Sequence, residues 1–218
     1  MIMIYEWLKI IRNFFNLYLR MGKNKFKVKG TGNKITKDLS SNIRYTQIVI
    51  HGKNNQVLIG KNCKITGLRI LIEGNNNTIM IGDRSVINAS AIQPTIINAF
   101  GSKTISIGEE SLLSNNIEIH TTDYHGLYNI HGDRINPDKD IKIGKKVWIG
   151  LGVKILKGTE VADGCIIGAG TILSGKYNER NVVIVGNPGK IIKKNIYWEN
   201  ERINKRETIE IENIGRSS

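Results

Sequence analysis

Residues 143–178 read "IGKKVWIGLGVKILKGTEVADGCIIGAGTILSGKYN" and divide into six consecutive hexads. The first position of every hexad is aliphatic: Ile143, Ile149, Ile155, Val161, Ile167 and Leu173. The fifth position is small or β-branched until Tyr177 breaks the rule: Val147, Val153, Thr159, Cys165 and Thr171. An α-helix cannot keep one residue in six on a single face over this length, because it turns about every 3.6 residues. The repeat therefore predicts short strands joined by tight corners, with the aliphatic side chains pointing inward.

A looser form of the repeat continues upstream of these hexads. The segment "GKNNQVLIG" begins at Gly52, "GNNNTIMIG" at Gly74 and "GSKTISIG" at Gly101, and "GTGNKI" at Gly30 matches a first rung. The asparagines in these segments tolerate the backbone conformations that corners need. We therefore expect one coil of stacked rungs, from about residue 30 to about residue 186, instead of a globular core.

The chain as a whole is basic and almost free of cysteine. Its 218 residues carry a formal net charge of +13, and Cys63 and Cys165 form no C-x-x-C pair. Such cysteine usage favours a reducing cytoplasm and no disulfide framework. The charge favours an acidic partner, which could be nucleic acid, an anionic membrane or a phosphorylated or carboxylated ligand. Charge alone does not choose among these partners.

We divide the chain into three parts: 1–29, 30–190 and 191–218. The first part has apolar residues at helical spacing and then a basic strip, which predicts an amphipathic helix. Charged residues interrupt the apolar run, so it is not a membrane span. Two alternatives stay open for it: packing on the coil or on another subunit, or contact with an anionic membrane surface. The last part is polar and charge-mixed, which predicts an exposed helix or a disordered tail.

Between the hexads lies a segment without the repeat, from about residue 124 to residue 140. It reads as a loop projecting from the coil, and functional residues often occupy such loops on a rigid scaffold. His120, His125 and His131 lie in or next to it. Any one of the three could be a catalytic base, and together they could also be a metal site or a polar loop.

Three segments resemble a known family: the repeats of 143–178, "TTDYHGLY" at 121–128 and "VIVGNPGKIIKK" at 183–194. They are similar to the hexapeptide-repeat acyltransferases, and "KKVWIG" at 145–150 adds to the likeness. Within that family the chain most resembles the O-acetyltransferases of bacterial surface sugars, such as sialic acid and capsular polysaccharide. The resemblance spans roughly residues 52–198, and Gly189 stands where the family usually has alanine.

The resemblance implies a left-handed parallel β-helix that forms a homotrimer, with active sites between neighbouring coils. It implies transfer of acetyl from acetyl-CoA to a sugar hydroxyl, without a metal. The family's catalytic histidine lies in a Thr-Asp-x-His motif that falls on His125, and its site-lining tryptophan falls on Trp148. The coenzyme contacts fall on Gly150, Gly168, Ala169, Lys190 and Lys193. As weaker candidates for contact with the sugar we name His120, Asp123 and Tyr124.

The chemistry of acetyl transfer fits an imidazole base. A sugar hydroxyl is a poor nucleophile until a base removes its proton, and histidine titrates near neutral pH. The thioester already has a good leaving group, so direct transfer needs no covalent enzyme intermediate, and the sequence has no G-x-S-x-G motif. The developing oxyanion needs a donor; the indole N–H of Trp148 and a backbone N–H are both open.

Two other functions stay open from the sequence. The γ-class carbonic anhydrases share the fold and bind zinc through three histidines, for which His120 and His125 would need a third ligand, His51 or His131. A coil that has lost its chemistry and serves as a scaffold is the second. For the acyltransferase we expect an acidic or lipid-linked glycan acceptor and no nucleic acid. We expect it in the cytoplasm or at the inner face of the membrane.

Overall fold

The computed structural model describes residues 23–200. The helix predicted within residues 1–29 lies mostly outside the described residues, as does the part of the predicted tail 191–218 that follows residue 200. The described chain contains 22 strands, numbered β1 to β22 in chain order, and no helix. Within this range there is thus no helical segment that could cross a membrane.

Three sheets form the three faces of a continuous coil. Sheet A contains β1 (Lys25–Lys29), β4 (Gln47–His51), β7 (Leu68–Glu73), β10 (Thr95–Phe100), β13 (Glu118–His120), β16 (Lys154–Ile155) and β19 (Ile172–Leu173). Sheet B contains β2 (Lys34–Lys37), β5 (Gln56–Ile59), β8 (Thr78–Ile81), β11 (Thr104–Ile107), β14 (Ile141–Ile143), β17 (Glu160–Val161) and β20 (Lys176–Tyr177). Sheet C contains β3 (Asn42–Arg44), β6 (Lys64–Thr66), β9 (Val86–Asn88), β12 (Leu112–Leu113), β15 (Trp148–Ile149), β18 (Ile166–Ile167), β21 (Val183–Val185) and β22 (Lys190–Lys193). All pairs are parallel except β21 with β22, and the predicted left-handed parallel β-helix is confirmed.

The number of residues in one coil changes along the chain. Lys25 in β1 pairs with Gln47 in β4, which lies 22 residues further on. Lys154 in β16 pairs with Ile172 in β19, which lies only 18 residues further on. Eighteen residues are three hexads, so in the strict repeat each hexad forms one strand and one corner of the coil. The upstream coils hold four extra residues, and their strands are longer: β4 and β5 have five and four residues, whereas β16 and β17 have two each.

The core consists of ladders of inward-pointing aliphatic side chains. The first residue of each hexad from Ile143 to Leu173 is at most 4% exposed. The five small or β-branched fifth positions, from Val147 to Thr171, are completely buried. Cys63 and Cys165 are buried free thiols in these ladders. The predicted inward orientation is confirmed, and each buried isoleucine or leucine stabilises the fold by about 1.5–3 kcal/mol.

An asparagine ladder supports the corner between sheets A and B. Asn55 Nδ2 donates to Asn33 Oδ1 at 3.0 Å, and Asn77 Nδ2 donates to Asn55 Oδ1 at 3.0 Å. Each of these oxygens also accepts the backbone N–H of the asparagine in the next coil, at 3.0 and 2.9 Å. The ladder pairs polar groups that the wide corners would otherwise bury without partners.

The coil begins earlier than the sequence suggested. Strand β1 occupies residues 25–29, which the predicted boundary at residue 30 assigned to the basic strip. Its sequence KFKVK alternates, so Phe26 and Val28 point inward and the lysines outward. Since no coil precedes it among the described residues, Phe26 and Val28 are 52% and 45% exposed, whereas Ile48 in the next coil is 0% exposed. At the other end, β22 turns back against β21, so residues 190–193 belong to sheet C.

Candidate active site

The predicted loop leaves the coil at the corner between sheets A and B. Strand β13 ends at His120, β14 begins at Ile141, and residues 121–140 contain only one isolated bridge, between Tyr128 and Arg134. Across the loop, Glu118 pairs with Lys154, which lies 36 residues further on. The loop therefore replaces no strand; it is inserted at one corner of a coil whose strands are all present.

His125 lies at the start of this loop with its side chain exposed and its backbone tied on both sides. Its N–H donates to Asp123 O at 2.8 Å, and its carbonyl oxygen accepts from Asn136 Nδ2 at 2.9 Å. Asn136 Nδ2 also donates to Asp123 Oδ2 at 2.8 Å. Residues from both ends of the loop thus meet at His125. Their hydrogen bonds fix its backbone, while its imidazole stays exposed.

Asp123 belongs to this clamp. Its carboxylate pairs with the Lys157 ammonium, which also donates to the carbonyl oxygen of Asn136 at 2.9 Å. The hydrogen bond from Lys157 holds the pKa of Asp123 below its ordinary value. Lys157 comes from the coil that follows the loop, so the clamp joins the loop to the next rung. The Asp123 carboxylate contacts Lys157 and Asn136. Asp123 therefore anchors the loop to the coil.

His120 lies on the outer face of sheet A in a second polar cluster. Its Nδ1 is 2.7 Å from Tyr124 Oη, and its Nε2 is 3.5 Å from Glu118 Oε2. Asn98, its neighbour in β10, donates from Nδ2 to Tyr124 Oη at 2.7 Å. Burial lowers the pKa of His120, although the Glu118 carboxylate acts in the opposite direction. The lowered pKa favours the neutral imidazole of His120.

The histidines do not converge. His131 is exposed at the loop tip, where its backbone N–H donates to Asn129 Oδ1 at 2.9 Å. His51 lies on sheet A three strands away from His120, or about 14 Å at about 4.8 Å per strand. Between residues 23 and 200, no three His, Cys, Asp or Glu side chains are grouped to hold a metal ion. The zinc enzyme therefore finds no support in the described geometry.

Trp148 lies on the outer face of sheet C and is 40% exposed. Its ring packs against Trp198 at a centroid distance of 6.0 Å. Trp198 is 6% exposed and donates from Nε1 to Lys146 O at 2.8 Å. The C-terminal segment is thereby held against one side of Trp148, while the other side remains accessible.

The predicted coenzyme residues lie on the same side of the coil as Trp148. Gly150, Gly168 and Ala169 line the corner that follows sheet C, in two successive coils. A Cβ on Gly150 would be 2.8 Å from Ala169 N, and one on Gly168 would be 2.6 Å from a Val185 methyl, so both positions need glycine. Lys190 and Lys193 are exposed at the two ends of β22, at the edge of sheet C.

One chain does not bring His125 and Trp148 together. In a coil with three faces, the corner between sheets A and B is opposite to sheet C. His125 leaves from that corner, and Trp148 and the coenzyme candidates lie on or beside sheet C. The predicted site residues thus form two half-sites on opposite sides of the coil.

The sequence reasoning missed several residues of these half-sites: Asn98, Phe100, Asn136, Lys157 and Trp198. A signal existed for Asn98, because it precedes His120 by 22 residues, which is also the spacing of Gly52 and Gly74. Asn136 and Lys157 gave no such signal, since the loop length decides what they contact.

The sequence of the chain is similar to that of known acyltransferases. A family model described as "Bacterial transferase hexapeptide (six repeats)" matches residues 140–175. The chain is 36% identical to the polysialic acid O-acetyltransferase of Neisseria meningitidis over 195 residues, which cover 82% of this chain and 91% of the relative. The chain belongs to the hexapeptide-repeat acyltransferase family. It is accordingly an O-acetyltransferase, and the scaffold alternative is no longer needed.

Solved structures agree with this assignment over most of the enzyme. The polysialic acid O-acetyltransferase OatWY has a TM-score of 0.64 and 30% identity, covering 84% of this chain and 94% of that one. The polySia-specific acetyltransferase NeuO has a TM-score of 0.64 and 25% identity, covering 85% of each chain. The fold of this enzyme is that of sugar-modifying acetyltransferases.

Proposed function

We propose that the enzyme transfers acetyl from acetyl-CoA to a hydroxyl of an acidic bacterial surface polysaccharide of the polysialic acid type. The observation that carries this proposal is the 36% identity to a polysialic acid O-acetyltransferase across 91% of that relative. The net charge of +13 supports an anionic acceptor, because it attracts a polyanion at long range.

In this proposal His125 is the general base. Its imidazole accepts the proton of the sugar hydroxyl as the oxygen attacks the thioester carbonyl, and the thiolate of CoA leaves from the tetrahedral intermediate. The backbone ties of His125 support the role, because a base is effective only when its position is fixed. The indole N–H of Trp148 is the proposed donor to the oxyanion, and Lys190 and Lys193 contact the CoA phosphates.

A complete site then needs two subunits. Since one coil holds the His125 half and the Trp148 half on opposite sides, a ring of like coils brings the His125 half of one to the Trp148 half of the next. The homotrimer that the family resemblance implies is the closed ring that we propose for this contact.

Residues 1–22 have a proposed place on the open end of the coil. Phe26 and Val28 point inward there but are about half exposed, and the apolar side of residues 4–18 would cover them. The basic side would then face outward, toward an anionic glycan or the inner face of the cytoplasmic membrane. Cytoplasmic location at that surface is part of this proposal.

The function is tested by incubating the enzyme with acetyl-CoA and α-linked polysialic acid, followed by mass spectrometry of the glycan. We expect O-acetylated polysialic acid, and a loss of kcat by about 10²–10⁴ in His125→Ala, the usual contribution of a general base. His131→Ala, in the exposed tip of the same loop, is the matched control and should retain activity. Acetylation of a neutral glycan in preference to polysialic acid would overturn the acceptor class, and an active His125→Ala would overturn the base.

A further inference from the structure

The residue before His125 has an unusual conformation. Tyr124 has φ of 64°, in the left-handed region that a bulky residue rarely adopts. Such a conformation persists only where the surroundings hold it. The hydroxyl of Tyr124 is 2.7 Å from both Asn98 Nδ2 and His120 Nδ1, and its ring meets Phe100 edge to face at 5.2 Å. Sheet A therefore holds the side chain of Tyr124 although its backbone already belongs to the loop.

The direction of each hydrogen bond follows from the charges on sheet A. Lys154 Nζ donates to Glu118 Oε1 at 3.0 Å, and this contact lowers the pKa of Glu118, so its carboxylate is ionised. The His120 nitrogen that faces this carboxylate, Nε2, must carry the proton of the neutral ring. Nδ1 is then an acceptor, and the Tyr124 O–H donates to it.

Asn98 completes the chain of hydrogen bonds. Because the Tyr124 hydroxyl donates to His120, its oxygen accepts from Asn98 Nδ2. This leaves Asn98 Oδ1 buried and without a partner among residues 23–200. Reversing the amide would make the Tyr124 hydroxyl donate to Asn98 and would turn an unprotonated Nε2 toward the Glu118 carboxylate. The repulsion between these two lone-pair groups favours the amide orientation described here.

We infer that Tyr124 is a positioning residue for His125, and that the nitrogen of His120 serves as the acceptor for the Tyr124 hydroxyl instead of serving as a base toward substrate. The chain Lys154, Glu118, His120, Tyr124 fixes one side of His125, and the clamp of Asp123 and Asn136 fixes the other. His120 is thereby separated from the proton transfer although it lies four residues from Tyr124.

This inference rests on the proposed function for its kinetic test, which uses three variants and one control. Tyr124→Phe and His120→Ala each remove the hydrogen bond. We expect each to lower kcat roughly 10- to 100-fold, as for a misplaced catalytic group, with KM for acetyl-CoA changed less than about twofold. His120→Asn places its Oδ1 where Nδ1 stands, so it should restore kcat to within about threefold of the parent enzyme. Tyr128→Phe, at an exposed tyrosine of the same loop, should behave like the parent.

The outcomes separate positioning from chemistry. A double variant of Tyr124→Phe with His120→Ala should be no slower than either single variant, because both remove the same bond. If His120→Asn is as slow as His120→Ala, the imidazole itself takes part in catalysis and the inference is wrong. If Tyr124→Phe keeps the parent kcat, the anchor is not needed and the inference is also wrong.

A spectroscopic test does not depend on turnover, so it stands even if no acceptor is acetylated. In ¹⁵N-histidine-labelled full-length enzyme at neutral pH, we expect His120 in the neutral form with the proton on Nε2. Tyr124→Phe should shift the Nδ1 signal of His120 and also perturb the His125 ring, whereas Tyr128→Phe should leave both signals in place. A His120 with its proton on Nδ1, or a His125 signal indifferent to Tyr124→Phe, would contradict the inference.

Discussion

Single side chains on this coil act mostly through their neighbours one coil away. Asn55 shows this most clearly, since its amide contacts Asn33 in the coil before and Asn77 in the coil after. It also donates to Gly74 O at 2.9 Å. Because Asn55 is completely buried, water cannot replace these bonds.

We expect Asn55→Ala to lower the free energy of unfolding by about 2 kcal/mol or more, because it leaves buried groups unpaired at about 1–3 kcal/mol each. Urea unfolding followed by circular dichroism measures the loss. Gln56→Ala is the matched control, since Gln56 is the next residue and points into solvent. Equal unfolding midpoints for the two variants would show that the ladder does not stabilise the coil.

The sequence singled out His125 as the candidate base, but it did not predict the surroundings of this residue. The motif Thr-Asp-x-His and the break in the repeat were enough to single it out. The clamp could not be predicted, because Asn136 and Lys157 reach His125 and Asp123 only through the path of a loop that carries no periodic pattern. Asp123 itself was expected to contact the sugar; in the structure its carboxylate is engaged with this clamp.

Among the elements, the hexads allowed the most reliable prediction. The hexads are recognisable because every sixth side chain must point into the core, from each of the three faces in turn. Strand β1 escaped notice because its alternation is hidden among lysines, which read as a charged strip. Once β1 is recognised as a strand, Phe26 and Val28 become inner side chains of the first described coil, half exposed within residues 23–200.

Deleting residues 1–22 should therefore lower the thermal unfolding temperature by several degrees, at about 2–4 °C for each kcal/mol of lost stability in a chain of this size. In the proposed placement of this segment, its deletion would leave Phe26 and Val28 without their apolar cover. Differential scanning calorimetry measures the shift, and deletion of residues 201–218 is the control. An unchanged unfolding temperature, together with lost binding to anionic vesicles, would instead assign the segment to the membrane.

For the whole molecule, the placement of the two half-sites has the largest consequence. Reading the sequence alone gives the order of His125 and Trp148 along the chain, but not the side of the coil on which each lies. The side depends on which corner each residue follows. The 22-residue coils and the loop change the number of residues between corners, so the spacing along the chain does not give the side directly. The two-subunit site was implied by family resemblance, and the coil geometry now supplies a physical reason for it.

A mixing experiment tests the shared site. His125→Ala and Trp148→Ala subunits should each be nearly inactive alone. When they are refolded together in equal amounts, sites that combine an intact His125 with an intact Trp148 of the partner subunit should form. For random assembly we expect about a quarter of the parent activity per site. No recovery, with mixed oligomers confirmed by native mass spectrometry, would place both residues in the site of a single chain.

The first coil also affects whether two molecules can stack end to end. Among residues 23–200, β1 is one edge of sheet A, and β2 and β3 are edges of the other two sheets. All three carry basic side chains, among them Lys25, Lys27, Lys34 and Arg44. A second coil stacking end to end would continue the ladders, but it would have to bring its own charges against these ones. Positive charge on these strands would therefore oppose end-to-end growth into fibres, independently of any attraction for an acidic glycan.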